Sequence, residues 1–94
     1  MLRIEALEID DKILDKLETK HGVTLEEVEE ACYCARRHVR RGRDGRYKVF
    51  SQADAGRYLF IVLVPSSEGV WRIVTARDMV DRERELYQEH RGEA

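Results

Sequence analysis

Apolar residues recur along the chain with a spacing that changes three times, and each change marks a change of element. Leu2–Leu7 alternates weakly between apolar and charged residues and predicts a short first strand. Asp10 or Asp11 then caps a helix carrying Ile13, Leu14 and Leu17 on one side. Lys20 and His21 suit the last turn of that helix, and Gly22 stops it. A second helix opens at once with the capping box Thr24-Leu25-Glu26-Glu27. The Thr24 hydroxyl can accept from the Glu27 amide while the Glu27 carboxylate reaches back. Leu25, Val28, Ala31, Cys32 and Ala35 share one face at helical spacing, opposite Glu26, Glu29 and Glu30. The two helices form a hairpin.

After Arg36 the spacing shortens. His38–Arg41 predicts a short edge strand, and Gly42, Asp44 and Gly45 a turn. Arg46–Gln52 is the next strand, turned by Asp54-Ala55-Gly56. Arg57–Val64 is apolar on both faces and should lie centrally in a sheet. Pro65-Ser66-Ser67-Glu68-Gly69 closes a hairpin onto Val70–Ala76, and a polar helix follows from Asp78 or Met79 to about His90. Met79, Leu86 and Tyr87 are its docking residues. The order β-α-α, then an antiparallel meander of three or four strands, then a C-terminal helix, is an α+β domain spanning residues 1–94. The helical hairpin should cover one sheet face and leave the other partly open.

Composition adds two constraints. No apolar run reaches membrane-spanning length, and the N-terminus lacks the apolar stretch of a signal peptide, so a cytoplasmic protein with no membrane partner is expected. The net charge of −2 conceals a strong asymmetry. Glu5–Glu30 holds ten acidic and three basic residues, whereas Arg36–Lys48 holds seven basic and one acidic. Such a basic segment suits a phosphate backbone or an acidic protein partner, although solvated loops also carry such charge. Cys32 and Cys34 are too few for a disulfide framework. Cys34 and His38 stand at helical i, i+4 spacing, but no third and fourth metal ligand follows. No metal and no cofactor is expected.

The chain has no phosphate loop, nucleophile elbow or zinc signature. Its candidates for chemistry are Lys20, His21, Arg77, Glu83, Arg84 and Tyr87. Cleaving an RNA phosphodiester requires one group to take the 2′-OH proton, another to protonate the leaving oxygen, and cations beside the developing charge. His21, Glu83 and Tyr87 can exchange protons, while Lys20, Arg77 and Arg84 can hold phosphate. Helical spacing brings Glu83 and Arg84 beside Tyr87. Each also has a structural reading: His21 as a helix end, Arg82-Glu83-Arg84 as a solvated face, Tyr87 as packing.

A series of short motifs then enters in order. Lys20-His21-Gly22-Val23 precedes a Glu-Glu helix, and Arg46-Tyr47 and Gly56-Arg57 precede an apolar strand. Arg72-Ile73-Val74-Thr75-Ala76-Arg77 is followed by Arg82-Glu83-Arg84 and Tyr87. This series resembles the BrnT-like toxins, the ribonuclease members of type II toxin–antitoxin pairs. The resemblance implies a RelE-like fold, metal-independent RNA cleavage and a cognate DNA-binding antitoxin. Arg40, Arg41, Arg46, Arg57 and Arg72 are the expected RNA-binding residues. The sequence departs from the family pattern at Ile9, where a Trp is usual, and at Ile13 and Leu17, which replace a Lys and an Asn. Ser51 replaces a Gly, and Val80 a capping Ser or Thr. The alternative is a catalytically inactive interaction module on the same scaffold, such as a homodimer, that binds protein or nucleic acid.

Overall fold

The computed structural model describes residues 2–93. Its elements run β1 (Ala6–Glu8), α1 (Asp11–His21), α2 (Leu25–Tyr33), β2 (His38–Arg41), β3 (Tyr47–Gln52), β4 (Tyr58–Ser67), β5 (Val70–Asp78) and α3 (Asp81–His90). The strands form one sheet in the order β1-β5-β4-β3-β2. β4 is therefore central, as its two apolar faces require. β2 to β5 make an antiparallel meander, while β1 joins β5 in parallel.

The helical hairpin is fixed by its caps. Asp10 accepts from the Lys12 and Ile13 amides at 2.8 and 3.2 Å. Gly22 ends α1 in the left-handed region at φ 61°, a conformation most side chains resist. The Thr24–Glu27 box forms as expected, with Glu27 donating its amide to Thr24 at 3.1 Å and Thr24 its amide to Glu27 at 3.0 Å. Leu17, Val28, Ala31 and Cys32 then pack on Val49, Leu59, Ile61, Leu63 and Ile73 from the sheet. Burial pushes the Cys32 thiol up to about 12, which keeps it inert.

Several boundaries differ from the sequence expectation, including the start of α3, which falls at Asp81 rather than at Asp78 or Met79. α2 stops at Tyr33 rather than continuing through Ala35, which is exposed. The Cys34 backbone is already extended, and Arg37 donates across the helix end to the Cys32 carbonyl at 2.7 Å and on to the Leu2 carbonyl. Cys34 and His38 thus never share a helix. β4 continues through Pro65 to Ser67, with bulges absorbing the irregularity. β5 extends to Asp78, because Asp78 pairs with Leu59 and the Met79 amide donates to the Tyr58 carbonyl. The first strand is shorter than Leu2–Leu7: only Ala6–Glu8 pair, while Leu2 and Ile4 pack into the core.

Ser51 lies in the core, fully buried, and its hydroxyl has no hydrogen-bond partner. A buried unsatisfied hydroxyl costs folding free energy. Ser51→Ala should therefore raise stability by about 1 kcal/mol, read as a higher denaturant midpoint at unchanged m-value. A lower midpoint would show that the hydroxyl is satisfied in solution.

Candidate nucleic-acid interface

The face opposite the hairpin is covered only in part. Register places Lys48 and Phe50 of β3, Phe60 and Val62 of β4, and Arg77 of β5 on it together. α3 packs over one end through a separate small core of Phe50, Met79 and Tyr87, joined by Tyr58, Phe60 and Leu86. Beside α3 lies an open cleft of about 510 Å³, lined by Lys48, Phe50, Phe60, Arg77, Arg82 and Glu83 among others. A second cleft of about 280 Å³ adjoins it, walled by Arg43 and Arg46 over Val62. Lys48 lines both. Side by side they make a track with an apolar floor of Phe50, Phe60 and Val62 and walls that are basic apart from Glu83.

Arg77 is the best-held cation in this track. Its guanidinium lies 4.4 Å from the centre of the Phe60 ring and makes a two-point contact with Glu83 at 2.8 and 2.9 Å. It also donates to the Asp78 carbonyl at 3.0 Å. Glu83 has a second task, accepting from the Val80 amide at 2.9 Å to cap α3. Val80 has no side-chain oxygen, so only the Glu83 half of this capping box exists. Burial alone would raise the Glu83 carboxyl. Hydrogen bonds from Arg77 and the Val80 amide, with the charges of Arg77 and Lys48, hold it below the usual range. Glu83 is therefore an ionised anchor for Arg77.

The other expected site residues separate into groups. Arg84 stacks over Tyr58, 4.7 Å from its ring centre. His21 and Arg84 both approach Asp78, whose carboxyl is held low first by its hydrogen bond from Arg57 and also by their charges. His21 is half-buried and Lys20 exposed in the last turn of α1. Among the described residues, no hydrogen bond or ion pair joins either to Arg77 or Glu83. Tyr87 is placed differently from the expectation of a proton carrier. It is fully buried, its hydroxyl is unpartnered, and burial raises that hydroxyl further above its ordinary range. The sequence put Tyr87 beside Glu83 on a helix; the small core beneath α3 turned it inward.

The expected RNA-binding arginines also divide. Arg46 walls the track. Arg40 lies on the open face at the β2 edge, opposite Lys48, and donates to His38 at 2.9 Å. Arg41 stacks on Tyr47 on the hairpin side, and Arg72 sits near β1, 3.6 Å from Glu8. Arg57 is consumed by the fold. Its Nε and Nη2 grip Asp78 at 2.7 and 3.1 Å, Nη2 also donates to the His21 carbonyl at 3.0 Å, and Nη1 donates to the Gly22 carbonyl and Glu27 at 2.8 and 3.1 Å. All five donors are used, so no RNA phosphate can be held there without dismantling the joint. Lys48 and Phe60 were not singled out in the sequence, although Lys48 ends the basic segment; Arg82 entered only as part of the Arg-Glu-Arg run.

The chain is thus an α+β domain with a helical hairpin on one sheet face and a terminal helix lying across the other. The crystal structure of the Brucella abortus ribonuclease toxin BrnT has this fold: it matches with a TM-score of 0.68 at 12% sequence identity, over 81% of this chain and 97% of that one. No family model matches the chain, and no curated protein matches it in sequence. Among the described residues, no helix is long and apolar enough to cross a membrane, and no cluster of His, Cys, Asp and Glu is arranged to hold a metal ion.

Two measurements check these assignments. Arg57→Ala should cost about 2 kcal/mol, since it strands two carboxylates and two carbonyls at a partly exposed joint. The Glu27 carboxyl is held low by the Thr24 amide and then by Arg57, and Asp78 chiefly by Arg57. Carboxyls depressed in the folded state contribute stability above the ordinary carboxylate range, about 4, and lose it as pH falls. Denaturation from pH 7 to 3 should therefore show an acid loss that is shallower in Arg57→Ala. Tyr87→Phe should leave any RNA cleavage intact and stability unchanged or higher. A large loss of activity in this folded variant would return Tyr87 to the chemistry.

Proposed function

We propose that the protein is an RNA-directed toxin of the type II toxin–antitoxin kind, in which the basic track on the open sheet face holds the sugar–phosphate chain. The observation that carries this reading is a pair of neighbouring clefts that share Lys48, with Arg43 and Arg46 at one end and Arg77 and Arg82 at the other. Cations above an aromatic and aliphatic floor suit a single strand, whose phosphates take the charge while its bases find apolar contact. The fold is shared with a protein described as a ribonuclease toxin, which supports the same class of target.

In this reading Arg77, pre-set by Glu83 and Phe60, binds the scissile phosphate and stabilises the charge that grows on it. Cleavage without a metal joins the 2′-oxygen to phosphorus and breaks the bond to the 5′-oxygen, which leaves with a proton. His21 is the proton carrier this reading favours, taking the 2′-OH proton and returning one to the departing 5′-oxygen. Glu83 is poorly suited to that task, being committed to Arg77 and the α3 cap. Lys20 and Arg84 contribute positive charge near the ends of α1 and β5. A cognate antitoxin, itself DNA-binding, silences the protein by covering the track, and the site of action is the cytoplasm.

Two observations favour a second reading, that of an interaction module without catalysis, alone or as a homodimer. Tyr87 is sealed in the core, and Ile13 and Leu17 pack into the hairpin core where the family pattern has polar groups. Inducing the wild type beside Arg77→Ala and a Lys48→Ala/Arg82→Ala pair, while scoring growth and RNA integrity, distinguishes them. The toxin reading expects arrest and fragmented RNA in the wild type, and relief of both in Arg77→Ala. It also expects purified Lys48→Ala/Arg82→Ala to bind single-stranded RNA about tenfold more weakly, with a smaller salt slope. Intact RNA with binding retained selects the module. No binding at all would reject the RNA reading.

A further inference from the structure

The larger cleft on the open face is one-sided in its hydrogen bonding. Lys48 and Arg82 line it with side chains that only donate, and among the described residues neither has a hydrogen bond or ion pair. Arg77 is partly committed. Its Nη1 donates to Glu83 Oε1 and to the Asp78 carbonyl, and its Nη2 gives one proton to Glu83 Oε2. Nε and the second Nη2 proton remain. They lie on one edge of the guanidinium, a parallel pair of donors whose spacing suits a phosphate. Phe60 covers one face of the guanidinium, 4.4 Å from its ring centre, yet the side chain is still 35% exposed. The exposed part is that free edge and the face turned away from Phe60.

The acceptors along the same cleft are engaged. Glu83 Oε1 takes the Val80 amide as well as Arg77, and Oε2 takes Arg77. The Val80 carbonyl accepts from the Glu83 and Arg84 amides at 2.9 and 3.0 Å. The carbonyls of Arg82, Glu83 and Leu86 run along α3, and those of Lys48, Phe50, Phe60 and Arg77 lie in the plane of the sheet, within its ladders. A ligand therefore meets three cations and an apolar surface that includes Phe60, Val80 and Leu86. The faces of a nucleobase suit that surface, and its edge is what varies. Uracil and guanine carry a carbonyl oxygen, O4 or O6, where cytosine and adenine carry an amine. Set against Lys48 and Arg82, the carbonyl is satisfied. The amine meets N–H with N–H and loses water without replacement.

We propose that this cleft holds one base of the bound strand beside its phosphate, and that it selects a keto base, uracil or guanine, over cytosine or adenine. The base lies on the outer face of Arg77 in a three-layer stack with Phe60, and its carbonyl oxygen accepts from Lys48 or Arg82. The Nε–Nη2 edge of Arg77 stays open to the phosphate, so a single guanidinium positions chain and base together. Selection comes from the donor-only wall and not from size, because a cleft of about 510 Å³ admits a purine as well as a pyrimidine. This inference rests on the RNA reading and adds to it a choice of sequence.

Fluorescence anisotropy with end-labelled RNA hexamers of uridine and of cytidine tests it. The two carry the same backbone charge, so the contribution of the phosphates cancels in the comparison. The wild-type protein should bind the uridine hexamer about tenfold more tightly. The Lys48→Ala/Arg82→Ala pair should bind both hexamers more weakly and bring their ratio close to one. A wild-type ratio close to one would overturn the selection and leave the RNA reading standing. A tenfold ratio kept in the paired variant would also overturn it, because the choice would then be made by other residues. Binding of neither hexamer would remove the RNA reading and this inference with it. If the paired variant does not fold, the wild-type ratio still decides the matter.

Discussion

Arg57 is the joint on which the architecture turns. Helices α1 and α2 meet at Gly22, where carbonyls at the end of one helix and a carboxylate at the start of the next face the ends of β4 and β5. A planar cation with five donors satisfies all of them at once, and no other side chain has that geometry. Removing it would leave the His21 and Gly22 carbonyls, Glu27 and Asp78 competing for water at the same corner. Asp78, so held, extends β5, which in turn fixes where α3 begins and therefore how Arg77 and Glu83 meet. The geometry of the open face thus depends on a contact made at the edge of the opposite one.

Arg77 and Glu83 repeat the device on a smaller scale. The Glu83 carboxylate caps α3 and orients Arg77 over Phe60, so helix start and cation position are set by one group. Such sharing gives precision at the cost of independence. A charge-neutral change at Glu83 alters helix and guanidinium together, so its effect on activity carries no information about proton transfer. Lys48 and Arg82 have no such second duty among the described contacts, which makes them cleaner reporters of what the track binds.

Much of this was readable in the sequence. The caps at Asp10 and Thr24, the stop at Gly22, the edge strand His38–Arg41 and the central position of β4 follow from local chemistry and period, because each depends on residues a few positions apart. The differences arise where a distant partner decides. Arg37 reaches the Cys32 carbonyl where α2 ends, and Leu59 draws Asp78 into the sheet. Tyr87 is a docking residue, as its apolar ring suggests, but its hydroxyl is also a candidate for proton exchange by helical spacing, and spacing alone cannot say which way a ring turns. The motif series that pointed to the fold proved rich in structural residues: Gly22, Arg57 and Glu83 hold elements together. A resemblance carried by such residues locates an architecture more securely than a reaction. The contact between His38 and His90, from segments far apart in sequence, had no local signal at all.

The uneven charge of the chain acquires its meaning from the sheet. The acidic stretch Glu5–Glu30 spans the edge strand β1 and the helical hairpin that covers one side, while Arg43, Arg46 and Lys48 from the basic stretch border the other. Near-neutrality is therefore the sum of two opposed surfaces, separated by the thickness of a strand layer. Not every cation contributes to the open side: Arg37 is used at the end of α2, Arg41 leans on Tyr47, and Arg57 is internal to the joint. What remains is a short basic track with an acidic back. A polyanion approaching such a molecule is attracted to one face and repelled by the other, so orientation precedes contact and the effect weakens as salt shortens the reach of both fields. Net charge would predict indifference to RNA; the distribution of charge across the sheet predicts a preferred face.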